Sequence, residues 1–213
     1  MLPGADPLLK VTIIPRGSGA LGYAQYLPKE LFLRTQEQIM DTVCMALAGR
    51  ASEQTFFGNV TTGASDDLRR VTSIVHQLVT SYGMSPKVGQ VSYPRDDNQF
   101  GPSERLYSES TAQLFDSEIK EMIDSAYERT LQLMTEHKNA VELVAELLLE
   151  KETITNSDVA KLIGERPHSS GKEYEAYLTW QKITKEEEVS KKETETTNDD
   201  SGTGGFQPTF YRT

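Results

Sequence analysis

The sequence predicts a mainly α-helical fold, a bundle of four to five helices carrying a small N-terminal β element. Apolar residues recur at three- and four-residue steps through most of 35–163, which is the spacing of one helical face. Ahead of them, residues 10–26 hold two short β-branched or aromatic runs separated by turn residues, the pattern of strands. With 213 residues, 37% of them hydrophobic, the chain can bury one ordinary core, or one core with a tail.

The β element comes first. Lys10-Val-Thr-Ile-Ile14 is β-branched, Pro15 to Ala20 supplies turn residues, and Leu21-Gly-Tyr-Ala-Gln-Tyr-Leu27 follows. A hairpin is the simplest connection, and a looser loop also fits. The first long helix opens at Thr35, where Gln38 stands three residues on, as a capping box requires. Ile39, Val43, Ala46 and Leu47 mark its inner face. Gly49 falls inside that pattern at a cost of about 1 kcal/mol relative to Ala, which predicts close packing against a neighbouring backbone. Gly58 is the expected stop.

Thr61-Thr-Gly-Ala-Ser-Asp-Asp67 opens the second helix, with Leu68, Val71, Val75, Leu78 and Tyr82 as its stripe and Gly83 as a left-handed terminator. A short strand is expected over Val88–Tyr93 and an irregular loop over 94–106. The third helix is expected from about Ser108 to Glu136, with Phe115, Ile119, Met122 and Ala126 inward, continued by Tyr127, Leu131 and Met134. A fourth, near Ala140 to Lys151, carries Val141, Val144, Leu147 and Leu148. A last short helix, Ser157 to Ile163, follows the cap-like Thr155-Asn-Ser-Asp158 and ends at Gly164. The expected organisation is a folded domain over 1–167, a linker or extension over 168–184, and an acidic disordered tail over 185–213. That tail holds seven acidic against four basic residues and almost no apolar ones before Phe206.

Composition excludes several functions. A net charge of −10 is unsuited to general nucleic-acid binding, because a phosphate backbone rewards clustered Lys and Arg. No apolar run approaches the roughly 20 residues that span a bilayer. The first twenty residues show neither a secretory signal nor an Arg- and Ser-rich amphipathic pattern, so any organelle address is expected outside this chain. Cys44 is the single cysteine and sits among Val43, Met45 and Ala46, which reads as a buried thiol. His76, His137 and His168 are far apart and form no metal-ligand pattern.

Residue by residue, the chain offers little catalytic machinery. It contains no HExxH, no CxxC pair, no phosphate-binding glycine loop and no GxSxG. Asp66 and Asp67 stand in a first helical turn, where exposed amides and the macrodipole stabilise a carboxylate by about 0.3–1 kcal/mol. Helix capping alone accounts for such a pair, and one carboxylate cannot hold a zinc ion that needs three protein ligands and an open position. Glu53, one turn after Gly49, reads as a salt-bridged or solvated residue. Arg69 and Arg70 read as surface ion-pair partners.

Read together, these segments are more specific. Leu9-Lys-Val-Thr-Ile-Ile-Pro-Arg-Gly17 resembles the strand after the zinc-binding helix in FtsH-type AAA zinc metalloproteases. Leu21-Gly-Tyr-Ala-Gln-Tyr-Leu-Pro28 is similar to its partner strand in the mitochondrial inner-membrane branch that includes paraplegin. Ala48-Gly-Arg-Ala-Ser-Glu53 resembles the GGRxxE segment, with Ala48 in place of the first glycine. Val60-Thr-Thr-Gly-Ala-Ser-Asp-Asp-Leu68 resembles TTGAxxDL. Tyr82-Gly-Met-Ser-Pro86, Leu148-Leu-Glu-Lys-Glu152 and Leu162-Ile-Gly-Glu-Arg-Pro167 add further matches, so the resemblance covers roughly residues 5–167.

The resemblance implies a zinc endopeptidase domain fused after an ATP-driven unfoldase, in a six-membered ring of one subunit type or of paralogous subunits. It implies unfolded polypeptides as substrates, and a soluble domain in the mitochondrial matrix anchored to the inner membrane through upstream helices. Zinc is the implied cofactor of the peptidase and ATP that of the unfoldase module. Two histidine ligands and the general base come from HExxH, which the resemblance places about twenty residues before Lys10, outside this chain. The third ligand falls on Asp67. Glu53 matches an acidic position close to the metal. Val11, Ile13, Tyr23 and Gln25 lie on strands where an extended substrate could add as an edge strand. No catalytic residue is expected within the chain, so alone it is expected to bind zinc weakly or not at all and to be inactive. It is also expected to fold poorly, because without the zinc helix a groove of apolar residues is left uncovered. The alternative is a non-catalytic helical assembly module of a protease ring, whose cyclic packing would use heterologous surfaces.

Overall fold

The computed structural model describes residues 1–15, 22–27, 33–93, 107–168 and 174–180. The chain forms two units, Met1–Ser169 and Ser170–Thr213. In the first, the order is β1 (Leu8–Thr12), β2 (Tyr23–Tyr26), α1 (Gln36–Phe57), a 3-10 turn (Thr62–Ala64), α2 (Ser65–Thr80), α3 (Glu109–Glu136), α4 (Lys138–Lys151), β3 (Thr153–Thr155) and α5 (Asn156–Ile163). The fold is mainly α with a small sheet, as the sequence predicts.

The core lies between α1, α2 and α3. Ile39, Val43, Cys44 and Leu47 meet Val71, Val75, Leu78 and Val79 from α2 and Phe115 and Ala126 from α3. Burying each large side chain contributes about 1.5–3 kcal/mol, so this cluster is the main source of stability. Cys44 is buried as expected, and its thiol donates to the Ala126 carbonyl at 3.6 Å. The capping box at Thr35 is present: the Thr35 hydroxyl accepts from the Gln38 amide at 3.3 Å, and the Gln38 side chain accepts from the Thr35 amide at 3.0 Å. Gly58 ends α1 in the left-handed region at φ 69°.

Several expectations are corrected. Among the described residues Gly49 packs against nothing: an added Cβ would meet none of their atoms within 4 Å. Tyr82 does not complete the α2 stripe. The helix ends at Thr80, Gly83 takes φ 61°, and Tyr82 is left 53% exposed while Val79 fills the core position. Val88–Tyr93 is not a strand. Ser85 accepts at its carbonyl from the Gly89 amide (2.9 Å), folding 85–89 into a turn, and Tyr93 then packs on Tyr107 and Phe115 at ring separations of 5.8 and 5.5 Å. Aromatic packing on α3 replaces a ladder there. Of the expected α3 face, only Phe115 and Ala126 are fully buried; Glu118 and Thr130 are buried beside them. The Glu118 carboxylate accepts from the Ser85 hydroxyl at 2.7 Å and pairs with Lys87 at 2.6 Å, which raises the Lys87 ammonium to about 12.

The hairpin pairing of β1 with β2 is antiparallel, as expected, but β1 runs Leu8–Thr12 rather than 10–14. The Pro7 carbonyl accepts from the Leu27 amide at 2.9 Å, which extends the pairing toward the N-terminus. Beyond Thr12 the Ile13 amide turns to the Glu152 carbonyl at 3.0 Å. A third strand, unforeseen, pairs on the other side of β1: Lys10 faces Thr155, Val11 faces Ile154 and Thr12 faces Thr153. The sheet order is therefore β2-β1-β3. Helices α4 and α5 flank it without a fully buried residue. In α4, which starts at Lys138 rather than Ala140, Val141, Val144, Leu147 and Leu148 are half-buried.

In the second unit, residues 174–180 are helical, with Tyr174, Tyr177 and Trp180 in succession at ring separations of 6.5 and 6.3 Å. The expected loop over 94–106, most of the turn over 15–20, and the acidic tail 185–213 lie outside the described residues.

Candidate functional site

The loop between α1 and α2 brings the acidic candidates to one end of the core. Thr61 starts the 3-10 turn with its hydroxyl accepting from the Gly63 amide at 3.2 Å, and the turn runs directly into α2. Asp66 and Asp67 both fall in the first turn of that helix. Their surroundings differ. Asp66 pairs with Arg69 one turn on, at 2.5 Å, as the sequence suggests for Arg69. No carboxylate pairs with Arg70 among the described residues. Asp67 is exposed and has neither a hydrogen bond nor an ion pair among the described residues, so its oxygens remain open to a ligand.

Glu53 turns out to hold the loop rather than Asp67 itself. Its carboxylate accepts from the Thr61 hydroxyl at 2.6 Å and from the Thr61 amide at 2.9 Å. Those two bonds, the side-chain one foremost, hold its carboxyl below the usual range, because they favour the charged form. Arg50, one turn earlier, donates to the Thr61 carbonyl at 2.8 Å. The end of α1 thus grips Thr61 at its amide, hydroxyl and carbonyl. The Arg50–Glu53 spacing carries that grip, and only the position of Thr61 in the fold reveals its target.

The remaining candidates lie on or beside the sheet. Val11 lies on the central strand, with β2 along one edge and β3 along the other, and the Ile13 amide is already bonded to Glu152. β2 is an outer strand of the sheet, and on it Tyr23 and Gln25 share one face and Ala24 and Tyr26 the other. Tyr26 is the residue that sequence reasoning missed. Partial burial pushes its phenol up, and the Asp67 carboxylate adds to that shift. Nothing in the spacing of Tyr26 and Asp67 signals this influence.

A carboxylate with open oxygens at a helix start suits a hard or borderline cation such as zinc as one ligand of several. Among the described residues, no three His, Cys, Asp or Glu side chains converge to complete such a set. His76 lies beside Thr80, 3.3 Å from its hydroxyl, and His168 lies 2.9 Å from the Met1 carbonyl oxygen. Among the described residues, no helix is long and apolar enough to cross a membrane.

Comparison with known proteins gives a consistent answer. Residues 1–162 match the profile described as Peptidase family M41. The chain is 51% identical over 179 residues to the mitochondrial inner membrane m-AAA protease component AFG3L2 of Mus musculus, covering 83% of this chain and 22% of that protein. It is 48% identical over 170 residues to the mitochondrial ATP-dependent zinc metalloprotease FTSH 10 of Arabidopsis thaliana, covering 80% and 20%. It is 47% identical over 175 residues to the mitochondrial inner membrane m-AAA protease component YTA10 of Saccharomyces cerevisiae, covering 82% and 23%. The chain therefore spans between a fifth and a quarter of the length of these relatives.

Proposed function

The chain belongs to peptidase family M41, and from that membership we propose that it is the C-terminal part of the peptidase domain of an ATP-dependent zinc metalloendopeptidase. AFG3L2 and YTA10 are named as components of the mitochondrial inner membrane m-AAA protease, which supports an inner-membrane location and an oligomeric assembly for the whole protein. Unfolded membrane and matrix polypeptides are its substrates, and a hexameric ring with itself or a paralogous subunit is its assembly.

The observation that carries this reading is the open Asp67 carboxylate at the start of α2, on a loop that Glu53 and Arg50 fix through Thr61. Asp67 is the zinc ligand that this chain contributes, and the upstream HExxH supplies the other two and the general base. When bound, the metal supplies Lewis acidity toward water and the scissile carbonyl. The chain's own residues prepare that site. Asp67 presents its oxygens from a helix N-terminus, where the macrodipole favours negative charge. Glu53 acts one step removed, holding the loop so that Asp67 is in place before the metal arrives. Tyr23 and Gln25 on β2 offer an edge along which an extended substrate can pair.

The test is Asp67→Asn in the full-length protein, assayed for bound zinc, short-peptide hydrolysis and ATP hydrolysis. Zinc affinity and peptide hydrolysis are expected to fall by more than the ~10–100-fold typical of outer-shell partners, with ATP hydrolysis retained. Glu53→Ala is expected to fall within that ~10–100-fold range. An Asp67→Asn protein that keeps its zinc and still cuts peptide would remove the basis of this reading and favour a non-catalytic assembly module.

A further inference from the structure

Residues 1–7 run ahead of β1 and, on the metallopeptidase reading, join the zinc-binding helix to the sheet. Their backbone is gripped from two sides. From the bundle, Asp41 of α1, only 3% exposed, accepts from the Gly4 amide at 2.8 Å. Its other oxygen is held by Arg129 of α3 at 2.8 Å, which fixes the acceptor. The approach is close enough that a Cβ on Gly4 would stand 2.8 Å from the Gln38 Cα and 2.9 Å from Asp41 itself, so only glycine fits.

From the other side comes the segment after α5. Arg166 Nη2 donates to the carbonyls of Leu2 at 3.0 Å and Ala5 at 2.7 Å, with Pro3 at 3.4 Å. A single guanidinium nitrogen thereby shares its two N–H donors among three carbonyls of one short segment. Arg166 Nε meanwhile is buried with no hydrogen-bond partner among the described residues. Leaving a buried N–H unsatisfied is costly, and the grip of the far end on segment 1–7 is what this side chain achieves in return.

The arm bearing Arg166 is itself anchored. β3 pairs with β1, and Asp158 caps α5 by accepting from the Thr155 amide at 2.9 Å and pairing with Lys151 at 3.1 Å. Any shift of residues 153–168 is therefore passed to segment 1–7.

We propose that Asp41 and Arg166 form a two-sided latch on residues 1–7, and are positioning residues that set where the zinc-binding helix stands relative to Asp67. The proposal rests on the metallopeptidase reading and adds a route by which the C-terminal arm governs the metal site. The test compares wild type, Arg166→Gln and Arg166→Lys in the full-length protein. The readouts are zinc affinity by chelator competition, kcat and KM for a short fluorogenic peptide, ATP hydrolysis, and amide exchange of residues 2–5.

Arg166→Gln is expected to speed exchange at the Gly4 and Ala5 amides and to weaken zinc ~10–100-fold, the range for groups that orient a ligand. The kcat per folded protomer falls with it, while KM and ATP hydrolysis hold. Arg166→Lys restores part of both losses. If Arg166→Gln lowers the melting temperature but keeps wild-type zinc affinity and kcat per folded protomer, the latch is structural only and the proposal fails. A wild-type protein that neither holds zinc nor cuts peptide would sink the parent reading and the metal half of this one. In that case unchanged exchange at Gly4 and Ala5 in the variant would overturn the latch as well, and faster exchange would uphold it.

Discussion

The α1–α3 bundle and the sheet with its arm hold together by different means. The bundle closes by burying apolar side chains, with Val43, Val71, Val75, Leu78 and Val79 all fully hidden. The region made of β1–β3, α4 and α5 buries Leu9 and Ile154 and is otherwise tied by polar bonds between distant residues. The Thr153 hydroxyl donates to that of Thr12 at 2.9 Å, and the Thr12 hydroxyl donates onward to the Glu152 carbonyl at 3.1 Å. A region with few buried apolar contacts opens first. Stability therefore resides in the bundle, whereas β2 and the arm bearing Arg166 belong to the more easily opened part. The 3-10 turn ahead of Asp67 packs on α1 and α2, with the bundle.

Substitutions in each region test that division. Leu78→Ala is expected to cost about 2–5 kcal/mol, the range for a truncated buried leucine, and to lower the whole denaturation curve together. Ile154→Ala removes an equally hidden side chain from β3, and its cost is expected at the lower end of about 2–5 kcal/mol. The informative readout is hydrogen exchange. Amides of residues 8–12 and 153–163 should lose protection while those of α1–α3 keep it. Equal loss in both regions would show that the sheet and the bundle unfold as one.

The same division explains what the sequence disclosed. The bundle was legible because its helices are long and periodic, and because Thr35–Gln38 and Gly58 mark their ends by local chemistry. The β1–β2 pairing was legible from a β-branched run followed by an aromatic one. β3 was not: three residues, Thr153–Thr155, are too few for periodicity, and their partner lies more than a hundred positions earlier. Nor was the Val88–Tyr93 turn, where β-propensity gave way to packing of Tyr93 on Phe115. At the site, Asp67 was singled out by its motif. The hold of Glu53 on Thr61 depends on tertiary placement that no spacing encodes.

A smaller effect is expected at Asp158. The Thr155 amide and hydroxyl, with Lys151, hold its carboxyl at about 2, below its ordinary value of 3.8. A lowered folded-state value means that the stabilisation is complete above about pH 4 and is lost as the pH falls toward 2. Asp158→Ala should cost about 0.5–2 kcal/mol at neutral pH, as for other lost helix caps. The loss should be confined to α5 and β3 and should shrink as the pH falls to 2, where the wild-type carboxyl is about half protonated. A variant as destabilised at pH 2 as at pH 7 would show that Asp158 acts through packing.

The smallest effect has the opposite sign. Gly49 sits in the interior of α1, exposed, with nothing near the position a Cβ would take. Gly49→Ala removes backbone freedom from the unfolded chain and adds a better helix former, and should stabilise the 213-residue chain by about 0.4–1 kcal/mol. On the metallopeptidase reading, the full-length protein supplies the contrast. If the same substitution lowers its stability or peptide hydrolysis, a backbone from outside this chain packs against α1 at Gly49, as the glycine's place in the helix first suggested. If it stabilises both equally, that face of α1 is solvent in the assembled protein, and the bundle needs no partner there.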